Sequence, residues 1–121
     1  MPDRDDHLAQ ANHNRQFYHT FDVQNYSDWG ATVLFYTGLH YIDAFLATHH
    51  IDPGSHDVRD KYITQLHELR QISGHYFALK NSSRTARYYP LARFPMQHLQ
   101  QLEQVHLENI KMGLRPHLPI R

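Results

Sequence analysis

Apolar residues recur at three- and four-residue steps in several stretches of the chain, separated by turn formers, the pattern of amphipathic helices. The spacing predicts a first helix over about 5–21, carried by Leu8, Ala11, Arg15 and Tyr18, with the arginine arguing against deep burial. A second helix is predicted over about 27–49, with Ser27 as N-cap and Asp28 adding negative charge to the first turn. It is apolar nearly all round, with Trp29, Val33 and Tyr36 on one face and Phe35, Leu39, Ile42 and Leu46 on another, the mark of a central helix. Asp52-Pro53-Gly54 forms the next turn, and Ser55 caps a third helix over about 56–80. Its stripe reads Val58, Tyr62, Leu66, Leu69, Ile72, Tyr76 and Leu79, with Gly74 expected to bend it. Asn81-Ser82-Ser83 reads as a break before a short helical turn over about 84–88, stopped ahead of Pro90. Pro95 suits the first turn of a last helix over about 95–113, carried by Leu99, Leu102, Val105 and Ile110 and ended by Gly113 and Pro116. There is no internal repeat and no convincing strand pattern. The expected fold is one all-α domain, an antiparallel up-and-down bundle of four to five helices.

Composition narrows the chemistry. A chain of 121 residues has room for one core, and 40% hydrophobic residues fill it without disulfides or a structural metal. Cysteine is absent, which excludes zinc-thiolate sites, iron–sulfur clusters and thiol nucleophiles and fits a cytoplasmic location. The most apolar stretch, from Ala31 to Ala47, is interrupted by His40 and Asp43, and no basic run precedes it. Neither a membrane span nor a signal peptide is therefore expected. Lys plus Arg and Asp plus Glu number 12 each, so any nucleic-acid contact must be a local patch. The 12 histidines add cationic charge only below about pH 6.5. None forms a His-x3-His pair, and no metal or cofactor is expected.

Polar residues on apolar stripes are the informative ones. His40 and Asp43 continue the stripe of Trp29, Val33 and Tyr36, so each needs a partner. They satisfy one another or bond a neighbouring helix, purely fixing the packing, or they belong to a polar pocket with an oriented histidine. His56 and Arg59, three apart at a helix start, suit either an anion site or a solvated first turn. Ser83 with Arg87 and Arg84 with Tyr88 are each four apart, so guanidinium, hydroxyl and phenol can share a phosphate-binding surface. Alternatively Arg87 makes a structural ion pair, with Asp43 as a candidate acid, while Tyr88 packs in the core. Arg70 and His75 match Arg-x4-His literally, but residues five apart lie about 140° apart on a straight helix, so they grip one phosphate only if Gly74 breaks the helix or two protomers assemble the site.

The run from Trp29 through His40 and Asp43 to Ala47, then Ser55-His56-Asp57-Val58-Arg59, then Tyr76 to Pro90 with Ser83-Arg84-Thr85-Ala86-Arg87-Tyr88, resembles the HEPN domains (higher eukaryotes and prokaryotes nucleotide-binding). The resemblance covers roughly half the chain. It implies a helical bundle that dimerises, binds RNA or a nucleotide, and in some members acts as a metal-independent endoribonuclease of the toxin or defence type. Other members serve as non-catalytic modules beside a nucleotidyltransferase-type partner. In a catalytic version His40 or His56 would move the proton while Arg59 or Arg87 holds the phosphate, with Asp43, Ser83, Arg84 and Tyr88 lining the cleft. This chain departs from the nuclease pattern: the Arg84–Tyr88 segment has no following histidine, and Arg70–His75 comes before it. A non-catalytic dimerising adaptor is the alternative, and a metal-dependent enzyme a more distant one.

Overall fold

The computed structural model describes residues 2–120, and among them every regular element is helical. Helix α1 (Arg4–Tyr18) opens on a capping box: Asp3 Oδ1 accepts from the Asp6 amide at 2.8 Å, and the Asp3 amide donates back to Asp6 Oδ2 at 3.0 Å. The arginine on its stripe has acids to meet. Arg15 pairs with Glu103 and Glu108 from the far end of the sequence, and His19 joins Glu103 at 2.7 Å. Glu103 is thereby buried, with its Oε2 shared between Arg15 and His19.

Helix α2 (Ser27–Thr48) is the central one and packs against α1, α5 and the C-terminal helix defined below. Ser27 is its first residue rather than its cap. The Ser27 hydroxyl instead accepts the Phe94 amide at 2.9 Å, tying the helix start to the segment before the last helix. Nor is α2 buried on every side, since Trp29 remains 61% exposed and Val33, Tyr36 and His40 are half-buried. Gly38 lets its neighbours come close: a Cβ there would sit 3.0 Å from Leu79 Cδ1 and 3.5 Å from Ile110 Cδ1.

After the turn at Gly54 (φ 73°), Ser55 caps α3 (His56–Gln65), its hydroxyl accepting from the Val58 amide. The single helix predicted over 56–80 is three: α3, the one-turn α4 (His67–Arg70) and α5 (Ser73–Tyr88). Leu66 adopts an extended conformation between the first two. On a straight helix Ile63 and Leu69 would lie about 120° apart, and the interruption allows both to be fully buried. Gly74 falls in the first turn of α5, so the bend is made by its neighbours and not by it. The break predicted at Asn81–Ser83 does not occur. Ser82 and Ser83 are buried within α5, where the Ser82 hydroxyl meets His98 Nε2 at 2.9 Å, so small side chains serve packing rather than a turn. Val58 is exposed, while Arg59 takes the buried position beside it.

The last helix is one rod in three parts: α6 (Met96–Gln101), a π-helical stretch (Leu102–Leu107) and α7 (Glu108–Leu114). Its buried residues are Leu99, Leu102, Leu107, Ile110 and Leu114. The step from Leu102 to Leu107 is too long for a regular α-turn, and the wider π-turn closes it. Val105, placed on the stripe by regular spacing, is consequently exposed. Gly113 does not end the rod; it lies inside α7, against Ile72. The result is an all-α helical bundle, and none of the described helices is long and apolar enough to cross a membrane.

Candidate functional site

Two helices meet over a buried charge pair. Asp43 on α2 and Arg59 on α3 form a two-pronged ion pair, Nε to Oδ1 at 2.7 Å and Nη2 to Oδ2 at 2.9 Å, with side chains only 7% and 10% exposed. Burial works against the Arg59 charge, but the hydrogen bonds and charge of Asp43 outweigh it and hold the guanidinium protonated. The third guanidinium nitrogen, Nη1, lies 3.3 Å from His56 Nδ1. A guanidinium only donates, so His56 Nδ1 accepts and the ring carries its proton on Nε2. Burial first, then the Arg59, Lys80 and Arg87 charges, push the His56 pKa down, against a smaller opposite pull from Asp60. At neutral pH His56 is a neutral imidazole presenting an N–H.

Beside it, α5 contributes Arg87. Its guanidinium carbon lies 5.9 Å from the Phe35 ring centre, 6.0 Å from Tyr36 and 5.6 Å from Tyr88. Its Nε donates to the Ser83 carbonyl at 3.3 Å and its Nη1 to the Tyr36 hydroxyl at 3.4 Å. Phe35 also flanks His56 and Tyr76, with ring centres 6.0 and 5.7 Å away. The Tyr76 hydroxyl is buried without a partner, and burial raises its pKa. Lys80 of α5 and Asp60 of α3 form a second ion pair across the same junction. Arg59 and Lys80 are thus neutralised. Among the described residues no carboxylate pairs with Arg87.

The junction therefore gathers Asp43, His56, Arg59 and Arg87 as expected, but not the whole expected set. His40 does not satisfy Asp43. It turns toward α1, where its Nδ1 lies 3.0 Å from His7 Nδ1, while Asp43 turns toward α3. Residues three apart on a helix diverge by about 60°, enough here for each to face a different neighbour. Arg87 does not pair with Asp43, which Arg59 occupies, and Tyr88 is 70% exposed rather than in the core. The buried Ser83 hydroxyl has no partner, and only the Ser83 carbonyl engages Arg87. Arg84 is exposed, with no side-chain hydrogen bond or ion pair among the described residues. Arg70 is exposed, while His75 meets His106 at 3.0 Å across to the C-terminal rod, so within one chain His75 is engaged by His106 and not by Arg70. Asp60, Lys80 and Tyr76 are additions, and no spacing in the sequence links residues on separate helices in this way.

Two recesses adjoin the junction. One, of about 190 Å³, is lined by Asp28, Trp29, Thr32, Ala86 and Arg87. The other, of about 410 Å³, lies between α1 and α2 and includes Gln10, Asn14, Phe17, Trp29, Tyr36 and His40. A further recess of about 550 Å³ lies between Pro2–Asp5 and the end of α2 and contains none of the converging residues. Among the described residues no group of three or more His, Asp or Glu is placed to hold a metal ion.

Comparison with known proteins finds no matching family model, no matching curated protein and no matching solved structure. The HEPN resemblance thus stands on residue order alone. Chemically, the junction offers one uncompensated guanidinium and one neutral imidazole N–H, both donors, next to exposed aromatic rings. Such a set suits an oxyanion.

Proposed function

We propose that this chain binds RNA or a nucleotide through a phosphate held by Arg87 and His56, with the Asp43–Arg59 pair as a buried brace. The observation that carries it is the contrast among the three cations at the junction: Arg59 and Lys80 each face a carboxylate, and Arg87 does not. An unpaired guanidinium flanked by aromatic rings keeps its fork of donors for a ligand. His56 adds a second donor through Nε2, its orientation set by Arg59 behind it. Arg59 is a positioning residue here, because Asp43 already occupies two of its nitrogens.

Binding is favoured over cleavage by the same tautomer. With Nδ1 engaged and Nε2 protonated, His56 reaches a ligand as a hydrogen-bond donor and not as a base. His40, facing His7, is not at the junction to supply the base instead. The test is a titration of short RNA and of a nucleoside triphosphate against wild type, Arg87→Ala and His56→Ala. Losing one charged phosphate contact is expected to weaken binding by about tenfold or more. The melting temperature should barely move for Arg87→Ala, whose side chain is largely exposed. Unchanged affinity in both variants would discard the proposal. A cleavage assay on total RNA, in which His56→Ala abolished product, would replace binding with catalysis.

A non-catalytic adaptor is the second reading, favoured by the Asp43–Arg59 pair itself. An ion pair this buried and this complete fixes the mutual placement of two helices whether or not a ligand binds. It gains ground if no RNA, nucleotide or polyphosphate binds at all.

A further inference from the structure

The lone tryptophan of the chain stands in an odd place. Trp29 begins the most apolar helix of the protein, yet it is 61% exposed. It borders both recesses beside the junction, sharing the smaller with Arg87 and the larger with Tyr36 and His40, with Thr32 common to both. The two recesses therefore adjoin across Trp29 and Thr32, on the outward face of α2. Trp29 and His40, three turns apart, span roughly 16 Å along it.

The lining changes character along this path. At the Arg87 end lies an unpaired positive charge beside the aromatic rings of Tyr36 and Tyr88. Asp28 also lines that recess, without an ion pair to Arg87, so a phosphate is disfavoured deep inside it. Past Trp29 the lining is aromatic and aliphatic, with Phe17, Val33 and Tyr36. Gln10 and Asn14 sit on its α1 side, hydrogen-bonded to one another at 2.7 Å, and leave further amide donors and acceptors for a ligand. At about 410 Å³ this recess falls within the usual size of small-molecule sites, about 300–1,000 Å³. A hydrogen-bond donor for phosphate at one end, a flat exposed indole next to it and amides beyond complement, in order, the groups that a nucleotide presents. Exposed aromatics beside a cationic fork are also how unpaired bases are held without reading their sequence.

We infer that single-stranded RNA lies along the outward face of α2, with one base stacked on Trp29 and the adjoining phosphate on Arg87. This rests on the Arg87 phosphate site proposed above and names the class of ligand that site takes. Asp28 then accepts from an exocyclic amino group, or simply keeps phosphate on the Arg87 side. The path continues past His40 into a further recess lined by Pro2, Asp6, His7, Gln10 and His40, where the Asp6 carboxylate favours a base over a phosphate.

The chain carries its own reporter, because Trp29 is its only indole. A short oligoadenylate is titrated into the full chain while tryptophan emission is followed, with tripolyphosphate as the base-free comparison. Oligoadenylate should quench Trp29, and tripolyphosphate should bind with much less effect on emission. Trp29→Ala should weaken oligoadenylate about tenfold, the typical worth of one stacked base, and leave tripolyphosphate affinity unchanged. Trp29→Phe should recover most of the loss. Because the side chain is largely exposed, both variants should fold, and circular dichroism checks this. If oligoadenylate binds in an Arg87-dependent way but Trp29→Ala has no effect, the base site is wrong and the phosphate site stands. If neither ligand binds, the phosphate site falls and the base site with it. If Trp29→Ala instead converts a self-associated wild type to monomer with no change in oligoadenylate affinity, the face belongs to a second copy and the inference is overturned.

Discussion

Replacing Arg59 by methionine keeps most of the aliphatic stem and removes the guanidinium. The Asp43 carboxylate then loses both hydrogen bonds while staying where its side chain is only 7% exposed. Removing one partner of a buried ion pair typically costs about 3–5 kcal/mol. The lower end, about 3 kcal/mol, applies here because both side chains keep a sliver of exposure and water can reach the stranded carboxylate. For a chain of this length that corresponds to a fall of roughly 12 °C in melting temperature. Asp43→Leu combined with Arg59→Met removes both charges, and an apolar replacement of a whole pair is often neutral. The double variant should therefore recover at least about 2 kcal/mol relative to the sum of the single losses. Thermal and urea unfolding of wild type, both single variants and the double variant, followed by circular dichroism, supply the cycle. A loss below about 1 kcal/mol in Arg59→Met, or strict additivity in the double variant, would show that the pair does not hold α2 to α3.

Acid should destabilise the fold. Burial, then nearby cations and imidazoles, depress the pKa of His40, His56 and His106 below the ordinary 6.5. His40 feels the charges of His7, Asp43 and Arg59; His56 those of Arg59, Lys80, Arg87 and Asp60; and His106 those of His75 and His98. The unfolded chain takes up these protons first, so the stabilisation is complete above about pH 6.5 and is lost as pH falls from there through the depressed values. Urea midpoints measured across that window should drop steadily, and a flat or rising profile contradicts the burial of these rings. Two glycines should respond in opposite directions to alanine substitution. Gly74 in α5 has open space around it, and Gly74→Ala should stabilise by about 0.5–1 kcal/mol. At Gly113 a Cβ would sit 2.5 Å from Ile72 Cγ2, and Gly113→Ala should cost about 1–3 kcal/mol in a urea titration.

Helical periodicity carried the class of fold and the central place of α2, because about six turns of apolar repeat leave little room for another reading. What periodicity could not show was local departure from a straight α-helix. Leu66 is an ordinary helix former, and nothing adjacent to it announces an extended residue. Ser82 and Ser83 read as turn formers, yet they are the small residues that α5 buries. The polar residues on the apolar stripes were correctly marked as needing partners, and Asp43, Arg59 and His56 found one another. Their partners were nevertheless not deducible. His40 and Asp43 lie one turn apart on the same helix, and their divergence toward α1 and α3 depends on where those helices pack. Glu103 escaped notice because its burial follows from the π-helical register, which a count of 3.6 residues per turn does not contain.

That π-helical register leaves slack in the C-terminal rod. Between Leu102 and Leu107 the backbone holds one residue more than an α-helix needs to keep both leucines on the same seam. Excising a residue from most helices rotates everything beyond it by about 100° and empties the core. Excising the exposed Gln104 here would let the wide turn relax to an ordinary one, with Leu99 and Leu102 still aligned with Leu107, Ile110 and Leu114. Here chain length can shrink by one with the leucine seam kept in register, at the cost of the Glu103 burial that the same register creates.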